Sequence, residues 1–339
     1  MNTTLQVTIP NFNRQDSLLA TLEKLGAQWH GQFRVLILDN QSQINPEAAI
    51  FERIPQAKDW IQVVRQPVQV GVVANITSCF VHSTADWMWL LANDDEISPD
   101  AIATIEKAIA QYPDAAFVNF SSNLCSRRTA ICAAGLDEFL ARLDSHANLN
   151  FISTGLYRVE RFKAYIATGY HYGYTFSPHL AMLFSLLRDF REQTAVLHPN
   201  EICQNRPARD PGERWSRIDF CLGAAALLEL EGLTIEQRRL LAKSFGSSGK
   251  VHEFLALQLL AECREQSSGA VQSFLLQSIV QRYFYFDRSM SRWLKKKIYP
   301  MMFWFPKFSW WLVGFIFSCT GRKQQLETYQ QAPRQGGWR

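Results

Sequence analysis

Along the first third of the chain, short apolar runs of strand length alternate with stretches whose apolar residues recur at helical spacing. Leu5-Gln-Val-Thr-Ile9 is alternating and β-branched, and Pro10-Asn-Phe-Asn-Arg14 ends it as a polar loop. Leu18, Leu22, Leu25 and Trp29 then share one helical face. Phe33 to Leu38 predicts a buried strand that stops at Asp39 and Asn40, and Asn45-Pro46-Glu47 opens a short helix. Trp60 to Val64 predicts a third strand; after a turn at Gly71, Val72 to Ser83 predicts a helix. A fourth strand begins at Trp87 and ends abruptly in Asn93-Asp94-Asp95-Glu96. Ser98-Pro99-Asp100 then carries the cap, first-turn proline and first-turn acid of a helix reaching about Tyr112. Ala115 to Phe120 predicts a further strand. Such alternation predicts βαβ units, an α/β fold and a mostly parallel sheet flanked by helices.

Beyond Cys125 the pattern loosens. Asp137 to Leu143 predicts a helix, Phe151 to Tyr157 a strand, and Ser177-Pro178 opens a helix with Leu180, Leu183, Phe184 and Leu187 on its apolar face. After Trp215 the pattern is helical, with periods over 221–231, 235–244, 251–265 and 271–286 separated by Gly and Ser clusters. Gln324 to Arg339 is polar with Gly and Pro and predicts a disordered tail.

A buried strand that stops at paired carboxylates just before a helix puts them at the carboxyl edge of a sheet, where open α/β folds bind ligands. An Asp-Asp pair alone would be a solvated acidic turn. At a strand end the pair needs a cation, which points to a site for a metal and a diphosphate. The net charge of +4 is too mild to demand nucleic acid. The seven cysteines are scattered with no C-x-x-C, which suits a reducing cytosol. No basic-plus-apolar leader precedes Leu5, so the expected location is cytoplasmic. No G-x-G-x-x-G follows the first strand, which argues against a dinucleotide oxidoreductase.

Four features in order carry a resemblance: Pro10-Asn-Phe-Asn-Arg14, Leu38-Asp39-Asn40-Gln-Ser42, the Gly71 to Asn75 turn and helix, and Leu90-Leu-Ala-Asn-Asp-Asp95 leading to Ser98-Pro-Asp-Ala101. Over roughly residues 5–120 the chain resembles the family-2 glycosyltransferases of GT-A, Rossmann-like fold, and is most similar to the branch that builds bacterial surface polysaccharides, O-antigen sugar transferases among them. The resemblance implies that Pro10, Asn11 and Phe12 hold the nucleobase and ribose, with Phe12 where a Tyr is usual. It implies that Asp39 binds the uracil or ribose side and that Asn75 lies near the diphosphate, although Ala74 stands where an Arg is usual. Asn93, Asp94 and Asp95 match the metal-binding carboxylate motif, with Asn in one acidic place, and Asp95 is the expected ligand of Mg²⁺ or Mn²⁺. A divalent ion bridging the diphosphate stabilises it as it leaves.

An inverting transfer also needs a proton acceptor. The Glu-Asp pair usual in the family is missing from residues 150–215. His179, in the first turn of the helix opened by Pro178, is the candidate, since the positive helix end would keep its ring neutral. Asp137 and Glu138 are the fallback. Arg214 and Trp215 stand where relatives close a basic, Trp-bearing segment over the diphosphate.

Near the C-terminus, Arg292 and Lys295-Lys-Lys297 precede an aromatic stretch, 298–318, broken by Pro300, Pro306 and Lys307. That interruption disfavours a spanning helix and predicts an anchor lying on an anionic membrane face. The expected domains are a GT-A domain over 1–220, a helical extension over 221–290, a membrane-associating segment over 291–323 and a tail over 324–339. The expected function is an inverting, metal-dependent transfer from a nucleotide-sugar to a polyprenyl-linked or other glycan, at the inner face of the cell membrane and without nucleic acid. The alternatives are a nucleotidyltransferase and a catalytically silent assembly partner.

Overall fold

A computed structural model describes residues 4–206 and 226–245, with isolated positions at 223, 311, 315 and 318. Three strands, β1 (Leu5–Asn11), β2 (Phe33–Asp39) and β3 (Ile61–Arg65), lie where the apolar runs predict them. Between and after them come α1 (Gln15–Gly26), α2 (Pro46–Arg53) and α3 (Val72–His82). The Asn45 side chain caps α2 by accepting the Glu47 N–H at 3.1 Å. Gly71 opens α3 at φ +81°, a conformation that a Cβ would strain. Then follow β4 (Trp87–Leu90), the short β5 (Glu96–Ile97), α4 (Ala101–Gln111) and β6 (Phe117–Ser121).

The second half differs more from expectation. β7 (Ile131–Ala134), α5 (Gly135–Arg142) and α6 (His146–Asn150) precede β8 (Gly155–Arg158). The predicted strand over 151–157 is therefore a 3-10 turn, Ile152–Thr154, followed by a short strand. α7 (Val159–Lys163), α8 (Ile166–His171) and α9 (Pro178–Asp189) lead to β9 (Thr194–Glu201) and β10 (Cys203–Gln204). Strand β9 carries Pro199 and polar residues toward its end, which hides its period in the sequence.

Among the described residues the main sheet has the order β3-β2-β1-β4-β8-β6-β9-β7. Strands β1 to β4 are mutually parallel. β8 is antiparallel to both β4 and β6, and β9 is parallel to β6. The carboxyl ends of β1, β2, β4, β6 and β9 thus share one edge. β10 pairs antiparallel with β5, drawing the chain after β9 across the end of β4. The core is filled by Trp87, Trp89, Tyr157 and a set of phenylalanines, all fully buried. The Trp89 indole N–H donates to the Ser153 carbonyl at 2.7 Å, so this large ring is buried without a stranded donor.

By contacts the chain divides into two units, Met1–Arg209 and Asp210–Arg339. In the second, α10 (Ile235–Ser244) has the predicted bounds and starts in a reciprocal capping box between Thr234 and Gln237. The predicted basic and aromatic segment lies almost wholly outside the described residues, as do Arg214 and Trp215. No helix among the described residues is long and apolar enough to cross a membrane.

In α8, a Cβ placed on Gly169 would stand 2.7 Å from the Met182 Sδ of α9 and 2.8 Å from the Thr77 Cγ2 of α3. Gly169→Val should therefore force these three helices apart and cost about 1–3 kcal/mol, seen as a lowered urea midpoint of the first unit.

Candidate functional site at the carboxyl edge

Three strand ends are tied together beneath this edge by side-chain amides. The Asn93 amide donates to Asn11 Oδ1 at 2.7 Å, and the Asn11 amide donates to Asp39 Oδ1 at 2.9 Å. Asp39 also accepts the Ser42 hydroxyl and, at 3.1 Å, the Ser42 N–H. Asp39 is fully buried and Arg65 approaches it to 3.8 Å. The relay therefore runs from β4 through β1 to β2, with every link inside the protein. The loops above it are laced in the same way: Asn13 N–H donates to Ser42 Oγ at 2.8 Å, and Gln43 N–H donates to Asn13 Oδ1 at 2.8 Å. Asn75 is enclosed as well, donating to the Leu38 carbonyl at 2.9 Å. In this arrangement Asn11, Asp39, Asn75 and Asn93 face their neighbours in the protein. Phe12, by contrast, is 39% exposed at the rim beside the half-buried Pro10.

The two adjacent aspartates have different environments. The Asp94 side chain is 44% exposed and forms an ion pair with Arg14. Asp95 is 7% exposed. It accepts the Ser153 hydroxyl, and the Arg206 backbone N–H points to it. Ser153 comes from the turn just before β8, so the antiparallel strand is what brings it there. Its hydroxyl also accepts the Ala92 N–H at 2.9 Å, fixing the chain just ahead of the aspartates. Burial lifts the Asp95 pKa to about 7; the Ser153 hydroxyl opposes that shift and the Asp94 charge adds to it. Glu96 holds two cations, Lys24 from α1 and Arg206 from the strap after β10. Burial and the nearby Arg206 charge lower the Lys24 pKa.

The acid–base candidates lie elsewhere. His179 stands in the first turn of α9 but is 1% exposed. Burial pushes its pKa down to about 3, offset only in part by the nearby Leu149 backbone. The ring is thus neutral, by desolvation instead of by the helix end, and it is enclosed where an acceptor hydroxyl does not reach. A proton acceptor has to meet the attacking hydroxyl, and in this structure the His179 ring is enclosed. Asp137 and Glu138 also stand apart from the aspartates. β7 runs antiparallel to β9, so α5 begins at the opposite edge of the sheet from the aspartates. Glu138 there accepts the Ala134 N–H at 2.8 Å and pairs with Arg142, as a helix-start residue does. Arg14, Lys24, Ser153 and Arg206 were not expected as site residues. Arg14 stood within a quoted motif, but nothing local marks Ser153.

For a divalent ion, Asp94 and Asp95 offer two carboxylates on successive residues, one open to solvent and one desolvated and short of positive charge. No group of three or more His, Cys, Asp or Glu that could hold a metal occurs among the described residues. Two hard oxygen donors nonetheless suit Mg²⁺ or Mn²⁺, whose remaining positions phosphate and water fill.

Adjacent carboxylates at a strand end of a mostly parallel sheet flanked by helices fit the GT-A fold. Residues 6–171 match the model of glycosyl transferase family 2, and the chain carries that family's domain. An uncharacterized glycosyltransferase of Haemophilus influenzae is 26% identical over 117 residues, which is 34% of this chain and 37% of that protein. The matched part is thus little more than a third of that relative. The fold is shared with S. aureus TarS residues 1–349 in complex with UDP-GlcNAc, at TM-score 0.59 and 10% identity, covering 98% of this chain and 90% of that one. It is also shared with the mannosyltransferase PcManGT of Pyrobaculum calidifontis in complex with GDP-Man and Mn2+, at TM-score 0.51 and 13% identity, covering 89% and 86%.

The upward shift of Asp95 has a consequence for stability. The folded chain holds a proton that the unfolded chain releases near its ordinary value of 3.8, so stability falls as pH rises from there to about 7. In chelator, Asp95→Asn should stabilise the first unit by about 2–4 kcal/mol at pH 8 and hardly at all near pH 4, measured as paired urea midpoints.

Proposed function

We propose that this chain transfers a sugar from a nucleotide-sugar to a glycan acceptor, with a divalent ion at Asp94 and Asp95. The observation that carries the reading is the pair of aspartates at the end of β4, within a family-2 domain, surrounded by Arg14, Lys24 and Arg206. Breaking the bond between sugar and diphosphate leaves negative charge on the diphosphate, and fixed positive charge at that point lowers the barrier. When bound, the ion supplies Lewis-acid stabilisation of that leaving group. The protein's part is to hold the two carboxylates in register through Ser153 and the Asn93–Asn11 link, and to present cations around them. The exposed Phe12 and the neighbouring Pro10 offer an apolar face to a nucleobase, while the enclosed Asp39 and Asn75 set the shape of the loops that would cradle it. TarS with UDP-GlcNAc and PcManGT with GDP-Man and Mn2+ support a nucleotide-sugar as donor. The aromatic, lysine-flanked sequence over 291–323 supports a lipid-linked acceptor and attachment to the inner membrane face, with Arg214 reserved for the diphosphate and a GT-A domain ending near residue 220.

A catalytically silent assembly partner is the second reading, favoured by the enclosure of His179. Calorimetric titration of UDP, GDP and dTDP, with and without Mn²⁺, separates the readings. One nucleotide should bind in a Mn²⁺-dependent way, and Asp95→Asn and Asp94→Asn should each weaken it by about tenfold or more. Binding without turnover of any sugar donor would favour the silent partner; no binding at all would remove the donor site.

A further inference from the structure

The three acids at the end of β4 are neutralised in three different ways. Asp95 is enclosed by Ser153 and the Arg206 backbone. Glu96 is shared by Lys24 and Arg206. Asp94 has a single cation partner among the described residues, Arg14, and the pair is open to water, at 30% and 44% side-chain exposure. An exposed pair of this kind adds little to stability, so its exchange is easy. Its stem is nonetheless fixed. The Arg14 carbonyl accepts the Leu18 N–H at 3.0 Å as α1 begins, and Asn13 before it, at φ +52°, is bonded on both sides to the loop after β2. A guanidinium on a rigid stem thus occupies the Oδ2 atom of Asp94, one of the two oxygens this carboxylate could offer a divalent ion.

We propose that Arg14 is an exchangeable counter-cation. It neutralises Asp94 while the site is empty of metal, gives up that carboxylate when a divalent ion binds, and then turns to the diphosphate of the donor. The first half concerns Arg14 and Asp94 alone; the second rests on the donor-site reading given above. Like charges exclude each other from one carboxylate, so the guanidinium and the ion compete for Asp94. Once displaced, the planar fork of Arg14 stays beside the ion and suits two phosphate oxygens at once. Arg14 thereby couples the two ligands: metal frees the residue that the nucleotide uses, and by linkage each ligand favours the other. Arg14 is a positioning residue in the first role and a donor contact in the second.

The test uses the full chain. The Arg14 side chain is 30% exposed, so Arg14→Met should fold normally. Titration of Mn²⁺ into nucleotide-free protein, followed by calorimetry and by the Mn²⁺ paramagnetic resonance signal, should show about five- to tenfold tighter binding in Arg14→Met. Lys24→Met removes a nearby charge that does not touch Asp94, and its gain should stay under about twofold. In an Asp94→Asn background the Arg14→Met gain should vanish, as a direct pair requires. With Mn²⁺ saturating, the nucleoside diphosphate that binds the wild type should bind Arg14→Met about tenfold more weakly. Mn²⁺ affinity that is unchanged or weaker in Arg14→Met, an equal gain in Lys24→Met, or no Mn²⁺ binding by any variant would overturn the exchange. Arg14-dependent Mn²⁺ binding with no nucleotide bound by the wild type would overturn the donor contact and the donor-site reading, and leave the exchange standing.

Discussion

The arrangement hangs on a short relay of hydrogen bonds under the sheet edge, from Asn93 through Asn11 to Asp39. Parallel strands end together, and their polar ends would be costly to bury unless each finds a partner. An amide side chain both donates and accepts, so Asn11 can pass a hydrogen bond from one strand end to the next. The relay also explains the asparagine at 93. An ionised acid there would set an acceptor against the Asn11 Oδ1 acceptor and place a second buried charge on one relay. With Asn93, the buried layer keeps a single carboxylate, Asp39, with Arg65 as its distant counter-charge. The loops carrying Phe12, Arg14 and Gln41 are laced to this layer, so their positions follow from it.

Above the relay, charge is sorted by depth. Asp94 and Glu96 lie toward water with cations in hand, whereas Asp95 between them is enclosed and lacks one. An acid lifted toward neutrality in this way is unfavourable for folding and receptive to a cation, the usual conflict between stability and function at a site. Two segments distant in sequence create the condition. The turn before β8 supplies Ser153, and the strap through β10 supplies the Arg206 backbone.

The first half of this design could be read from the chain because it is local. Alternation of apolar runs and helical stripes placed β1 to β4 and α1 to α4 to within a few residues, and the carboxylates marked the strand end. The resemblance added an order of motifs that the family-2 match supports. What escaped depends on pairing across long separations. Ser153 sits in a stretch that read as plain strand, yet β8 is antiparallel and delivers it to a residue 58 positions earlier. His179 had the expected local setting, a first turn behind Ser177-Pro178, but whether a first-turn side chain faces water is decided by neighbours such as Leu149. Asp137 and Glu138 likewise fell on the far edge because of the direction of β7, which no local pattern encodes.

The insertion of β8 between β4 and β6 also sets an order of assembly. When the chain has been made only as far as Asn150, β4 has one partner, β1, and its other edge is bare. That edge belongs to Trp87-Met-Trp-Leu90, an uncharged run with unpaired backbone groups, the kind of edge that invites pairing with another chain. It closes only when β8 arrives, and the strap that reaches Asp95 needs a further stretch ending near Arg206. The aspartates are therefore made early and housed late. During synthesis this edge is the vulnerable one, and a chaperone that shields β4 until β8 has emerged would act at the step where misassembly competes most directly with folding.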